Sequence, residues 1–184
     1  MNNPGLKFIS PTRGQLSFNL VLEDIFDFIN ENPRDKYKLI IGTDAAGNHT
    51  LTEAKRGEMS NGIARKSNGQ VEFISALIVY RIGKGGRYYW KRSLLDDIVS
   101  LRQKIYAETV LSIELAQMFL EEFGKIFSLG ENAKYDFEIH LDVGENGESR
   151  NVIREVVGMV AGNGFTAKTK PESFGAAKVA DRHT

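Results

Sequence analysis

The sequence predicts an α/β domain in which a mixed sheet of five strands carries helices on both faces, with one further helix at the N-terminal side. Three observations carry this expectation. Three apolar, β-prone segments come in succession and then alternate with segments of helical period, giving the order β-β-β-α-β-α-β-α. The cluster Gly83-Lys84-Gly85-Gly86 supplies a hairpin turn between two of the first three. Two apolar strands, far apart in the chain, each end at an aspartate, Asp44 and Asp142.

Residues 1–14, with Pro4, Gly5, Pro11 and Gly14, read as an irregular arm, and 15–184 as a single domain. Ser17 is placed to cap a helix in which Phe18, Leu22, Ile25, Phe26 and Ile29 recur at helical spacing, and Asn32-Pro33 stops it. Tyr37 to Asp44 is a short apolar run of the kind that forms a central strand. Residues 45–70 form a polar, basic insertion with little periodicity. Val71–Ile82 and Arg87–Leu95 are the hairpin strands, 98–127 one long helix, and Tyr135–Val143 the next strand. A helix over Ser149–Val160 ends at Gly162 and Gly164, Phe165–Lys170 is a short strand, and Ser173 is placed to cap a last helix. Right-handed crossovers make the strand ending at Asp142 parallel to the one ending at Asp44, so that both carboxylates leave the same edge of the sheet.

Composition narrows the chemistry. With no cysteine among 184 residues, neither a disulfide nor a thiolate-held metal is available. A metal would be held by carboxylate, imidazole or backbone oxygen, which favours hard cations. No apolar run approaches the roughly 20 residues of a membrane helix, and the first residues lack the pattern of a signal peptide, so a cytoplasmic protein is expected. The net charge of zero conceals a segregation: residues 55 to 92 hold nine Lys or Arg against Glu58 and Glu72, a local +7. Such a stretch suits a polyanion, although a solvated basic hairpin would read the same way.

Along the two strands Ile40, Gly42 and Asp44 share one face, as do Glu138, His140 and Asp142. A lone aspartate at a strand end is usually a turn former. Two on adjacent strands repel each other unless a cation lies between them, and a pair of divalent ions about 4 Å apart is a standard clamp for a phosphodiester. On the long helix Glu108 falls on the stripe of Leu101, Ile105, Ser112, Leu115 and Phe119, which should face the sheet. Glu114 falls with Gln117 and Glu121 on the solvent side, so Glu108 is the better ligand. His140 and Asn146 are possible substrate contacts. Other motifs fail: the run from Asp142 to Gly147 begins like a calcium loop but has Ile153 where a glutamate is required. Gly83–Gly86 lacks P-loop spacing, and Gly162-Asn-Gly164 precedes a strand rather than a helix.

At Ile41-Gly-Thr-Asp44, His140-Leu-Asp-Val-Gly-Glu-Asn-Gly147 and Lys170-Pro-Glu-Ser-Phe-Gly-Ala-Ala-Lys-Val-Ala-Asp181, the sequence resembles a family of small bacterial proteins assigned to the ribonuclease-H-like superfamily as predicted nucleases. The likeness runs in order over residues 18 to 184. It implies a ribonuclease-H-like five-stranded sheet, dependence on Mg²⁺ or Mn²⁺, two ions in all, and hydrolysis of phosphodiester bonds. By motif position Asp44, Asp142 and Asp181 match the superfamily's acidic residues, and Glu108 fills the place of its helix acid. The chain departs from the pattern after Asp44, where Ala45-Ala46 leads into the long insertion.

The expected function is therefore a metal-dependent nuclease acting on DNA, RNA or a hybrid, with Arg87, Tyr89, Lys91 and Arg92 of the hairpin binding nucleic acid. Two alternatives stand beside it. One is a nucleic-acid-binding module without catalysis. The other is an actin-like or sugar-kinase-like phosphotransferase, which shares the topology but needs a second such domain to enclose a nucleotide.

Overall fold

The computed structural model describes residues 6–46, 71–127, 134–144 and 150–183. The elements are β1 (Lys7–Ser10), β2 (Gly14–Ser17), α1 (Phe18–Asn30), β3 (Lys36–Ala45), β4 (Val71–Arg81) and β5 (Gly85–Leu95). They continue with α2 (Leu101–Ile126), β6 (Lys134–His140), α3 (Arg150–Gly162), β7 (Thr166–Lys168) and α4 (Gly175–His183). The strands form one seven-stranded sheet in the order β2-β1-β5-β4-β3-β6-β7. β4 is antiparallel to both β3 and β5, whereas β6 is parallel to β3 and β7 to β6.

The five expected strands are β3 to β7, contiguous in the sheet, and two more correct the expectation. Instead of an irregular arm, the N-terminal segment forms the β1–β2 hairpin, which joins the edge of β5 through Ile9 opposite Trp90. Phe8 and Ser10 point inward and Lys7 and Ile9 outward, but four residues before Pro11 are too few for that alternation to stand out. The expected 45–70 insertion lies outside the described residues beyond Ala46.

Local chemistry explains the helix starts. Ser17 caps α1 by accepting from the Leu20 N–H at 3.4 Å. Ser100 caps α2 by accepting from the Gln103 N–H at 3.2 Å, and the Gln103 side chain reaches back to the Val99 N–H at 2.9 Å. α4 departs from expectation: the Ser173 hydroxyl is buried without a hydrogen-bond partner, and a histidine caps the helix instead. Among the described residues no helix is long and apolar enough to cross a membrane.

Helices α1, α2 and α3 cover one face of the sheet, where Val21, Ile25, Ile105, Leu115, Phe119, Val152 and Val156 pack on Leu39, Ile41, Leu77, Val79 and Ile139. Among the described residues the other face carries α4, whose Val179 packs with Ile74, Ala76 and Trp90. α4 sits close because its first residue is glycine: a Cβ on Gly175 would lie 3.0 Å from both Ile40 Cγ2 and Ile78 Cδ1. Gly158, inside α3, has open space around it. These surroundings set opposite signs for two substitutions. Gly175→Val should destabilise the fold by about 1–3 kcal/mol through overpacking, whereas Gly158→Ala should stabilise it by roughly 0.5–1 kcal/mol through helix propensity. Urea unfolding of both variants checks the pair.

Candidate active site

The parallel register of β3 and β6 pairs Lys36 with Lys134 and Ile41 with Ile139, so the two strands run side by side toward the same edge. Asp44 is the penultimate residue of β3, and Asp142 lies just past β6. α2 starts near the same edge, since β4 pairs Phe73 with Ala45 and Val71 with Leu95, and α2 follows β5. This is the carboxyl edge of the central parallel pair, where open α/β sheets place their sites.

α2 turns Glu108 to the sheet and leaves Glu114 exposed, as the stripe requires. Glu108 Oε1 accepts from the Ala45 N–H at 3.0 Å and from Lys104 Nζ at 2.9 Å. Lys104 Nζ also lies 3.4 Å from Asp44 Oδ1. All three side chains are buried, so the trio is an ion cluster taken out of water. Desolvation, followed by the carboxylate of Asp44, pushes the Glu108 carboxyl up to about 8 against the pull of Lys104. Burial opposes the charge on Lys104, yet Glu108 and Asp44 together raise its pKa above the ordinary value. Burial beside the Asp44 carboxylate thus makes Glu108 hold its proton to higher pH than an ordinary glutamate, next to a charged lysine. One turn further along α2, the Ser112 hydroxyl bonds to Thr43 at 3.0 Å, and Thr43 bonds to Ser75 at 2.9 Å, a buried polar seam fixing the helix over β3 and β4.

Asp142 is half-buried and pairs with Lys170 at 2.9 Å, whose side chain is 54% exposed. The Lys170 N–H donates to Val143 O at 2.9 Å, tying the segment before α4 to the one after β6. Among the described residues, no three acidic or histidine side chains stand together as a ready metal cage. Lysines hold the carboxylates instead: Lys104 between Asp44 and Glu108, Lys170 on Asp142. Asp181 falls within α4, but its side chain, like all of Asn146, lies outside the described residues.

His140 is buried, and its Nδ1 accepts from the N–H groups of Phe174 at 3.2 Å and Gly175 at 3.4 Å. Nε2 therefore carries the hydrogen, directed at Glu138 Oε2 at 3.1 Å, while Lys38 donates to Glu138 Oε1 at 2.7 Å. Burial holds His140 below its ordinary pKa, the neutral state this cap requires.

The hairpin candidates divide between the two faces of β5. Arg87 pairs with Asp24 at 2.6 Å and lies over Phe28, and Tyr89 is fully buried with its hydroxyl donating to Asp24. Tyr89 is thus core, where the sequence suggested a base-stacking surface. Lys91, on the same face, is half-buried and donates to Ser93 at 3.1 Å. On the opposite face Arg92 pairs with Glu72 at 3.1 Å and donates to His183 O at 2.8 Å. The His183 ring stacks on Trp90, with centroids 4.4 Å apart, and meets the Tyr88 hydroxyl at 3.1 Å. Beside α4, Ile78, Tyr88, Phe174, Lys178 and Arg182 line a cavity of about 570 Å³. Lys104, Lys170 and His183 were missed in the sequence; for Lys104 the signal was there, four residues before Glu108 on the same stripe.

The family model for ribonuclease-H-like proteins matches residues 62–184. A protein of Bacillus subtilis (strain 168), the uncharacterized protein YkuK, is 33% identical over 186 residues, covering 96% of this chain and 96% of that protein. No solved structure matches the chain.

The raised pKa of Glu108 has a consequence for stability. Between about pH 4.5 and 8 the folded protein retains a proton on Glu108 that the unfolded chain has released, so this group's contribution is full at low pH and is lost as pH rises through that window. His140 acts in the opposite sense, its contribution being lost as pH falls below 6.5. Glu108→Gln keeps the amide in the role of the protonated acid and leaves His140 unchanged. The variant should therefore gain on wild type as pH rises from 6 to 8, by at most about 1.4 kcal/mol per pH unit for one proton. Urea melts at several pH values check this, and a difference independent of pH would contradict it.

Proposed function

Because the chain belongs to the ribonuclease-H-like family, we propose that it is a divalent-metal-dependent hydrolase of nucleic-acid phosphodiester bonds, working at the carboxyl edge of β3 and β6. The observation that carries this reading is the parallel pairing of β3 with β6, with Asp44 near the end of one strand, Asp142 just past the end of the other, and Glu108 bonded at the end of β3. The donor chemistry fits magnesium or manganese: carboxylate oxygens, no cysteine, and positions where lysine ammonium groups already answer the negative charge. Asp44, Glu108 and Asp142 would hold the metal, with Asp181 as a further ligand from α4.

A divalent ion held there would supply positive charge against the scissile phosphate and would ease deprotonation of an attacking water. The protein's own part is orientation. The Ala45 N–H and Lys104 fix the Glu108 carboxyl, the Ser112–Thr43–Ser75 seam fixes the helix beneath it, and the His140 cap seats α4 on the sheet. With Arg87 and Tyr89 engaged by α1, the phosphate-binding surface is better sought on the α4 side. There Lys178 and Arg182 are exposed beside Phe174 and Tyr88, a mixture of cations and rings suited to an unpaired strand.

The test is a cleavage panel of DNA, RNA, hybrid and junction substrates with Mg²⁺, Mn²⁺ or chelator, with ATP binding measured alongside. Cleavage is expected with metal and should vanish with chelator. Asp44→Asn and Asp142→Asn should each lose about 100-fold or more, the scale of removing one preorganised charge-stabilising group. Glu114→Gln, on the exposed face, should keep wild-type activity. Replacing Lys178 and Arg182 by alanine should weaken binding and flatten its salt dependence. ATP binding without cleavage of any substrate would replace this reading with that of a phosphotransferase.

A further inference from the structure

We propose that the Lys104 ammonium permanently occupies the place of a second cation, so that this site takes one divalent ion rather than two; the inference rests on the metal-dependent reading above. Three features of the cluster lead there. First, Asp44 and Glu108 both direct an oxygen at Lys104 Nζ, at 3.4 and 2.9 Å, so the space that an ion bridging those two carboxylates would need is filled by the protein's own positive charge.

Second, this lysine is built in. Its side chain is 8% exposed, it stands one helical turn before Glu108, and the capped start of α2 sets its position. The lysine on Asp142 differs: Lys170 is 54% exposed and its head can leave into water when an ion arrives. Of the two ammonium groups described at the edge, one is fixed and one is displaceable.

Third, the three carboxylates whose side chains are described, taken without Asp181 and with Glu108 ionised by the arriving ion, balance one ion. Asp44, Glu108 and Asp142 carry three negative charges when ionised, and Lys104 offsets one, leaving two. A single divalent ion neutralises that remainder, and a second would leave the buried edge with two uncompensated positive charges beside an ammonium. The ion then belongs on the Asp44–Asp142 side, and Lys104 presents a fixed positive charge to a phosphate from the Glu108 side. It is a positioning residue for Glu108 and Asp44, and a charge that needs no metal to arrive.

Counting bound Mn²⁺ by electron paramagnetic resonance and calorimetry tests this with full-length protein and manganese alone. Wild type should bind one ion per chain, Lys104→Arg should also bind one, and Lys104→Met, which frees the Asp44–Glu108 pair, should bind two. Manganese should also raise the melting temperature of Lys104→Met more than that of wild type. Two ions in wild type would overturn the inference and leave the metal reading standing, as would a single ion in a folded Lys104→Met variant. No bound ion in wild type would overturn the metal reading and this inference with it. Should Lys104→Met fail to fold, the wild-type count still decides.

Discussion

A glutamate on the sheet-facing stripe of a long helix is costly unless it is bonded, and the way Glu108 is bonded organises this molecule. Its carboxyl accepts from the Ala45 N–H at the end of β3 and from the ammonium of Lys104 on its own helix, and burial raises its pKa. Those bonds set the rotation of α2 about its axis. Once Glu108 is fixed, Ser112 falls one turn on against Thr43, and Leu115 and Phe119 fall on the core. Removing one member would leave a buried charge unpaired, at a cost of roughly 3–5 kcal/mol. The same bonds bring a helix carboxyl to the strand end that holds Asp44, at the edge where Asp142 follows the neighbouring parallel strand.

The second face of the sheet is governed by a different constraint. Among the described residues one nine-residue helix covers it, too short to be stable by itself, so contacts at both ends hold it in place. His140 accepts from the first N–H groups of α4, and His183 at the other end is gripped by Tyr88, Trp90 and Arg92. Gly175 allows the backbone to settle against Ile40 and Ile78. The helix on which Asp181 lies is thus seated by the protein itself. The aromatic and basic residues of β5 that look from the sequence like a nucleic-acid surface are largely engaged in holding α1 and α4.

Much of the fold was legible because its signals are periodic or local. The strand through Asp44, the strand that stops two residues before Asp142, the glycine hairpin, the stripe of α2 and the Ser17 cap stand close to where spacing and residue type put them. The β1–β2 hairpin was not legible, since four-residue strands interrupted by Pro11 and Gly14 show too little alternation. The Ser173 cap was misread because a residue 34 positions away does the work, and such a contact leaves no trace in local sequence. Tyr89 was misassigned because Tyr88, Tyr89 and Trp90 alternate between faces, and composition alone does not say which member of an aromatic run is inside. At the site, the face argument found Glu108. It passed over Lys104 on the same stripe because a lysine there reads as solvent-exposed unless its carboxylate partners are already known.

The claim on which the rest turns is that the edge formed by Asp44, Glu108 and Asp142 binds a divalent cation. Anomalous diffraction from crystals grown with Mn²⁺ measures this directly. A manganese peak in ligating contact with the carboxylates of Asp44 and Asp142, with Lys104 still bonded to Glu108, is the expected result. Manganese bound only elsewhere on the molecule, with Lys170 still paired to Asp142 and no peak at this edge, would contradict it.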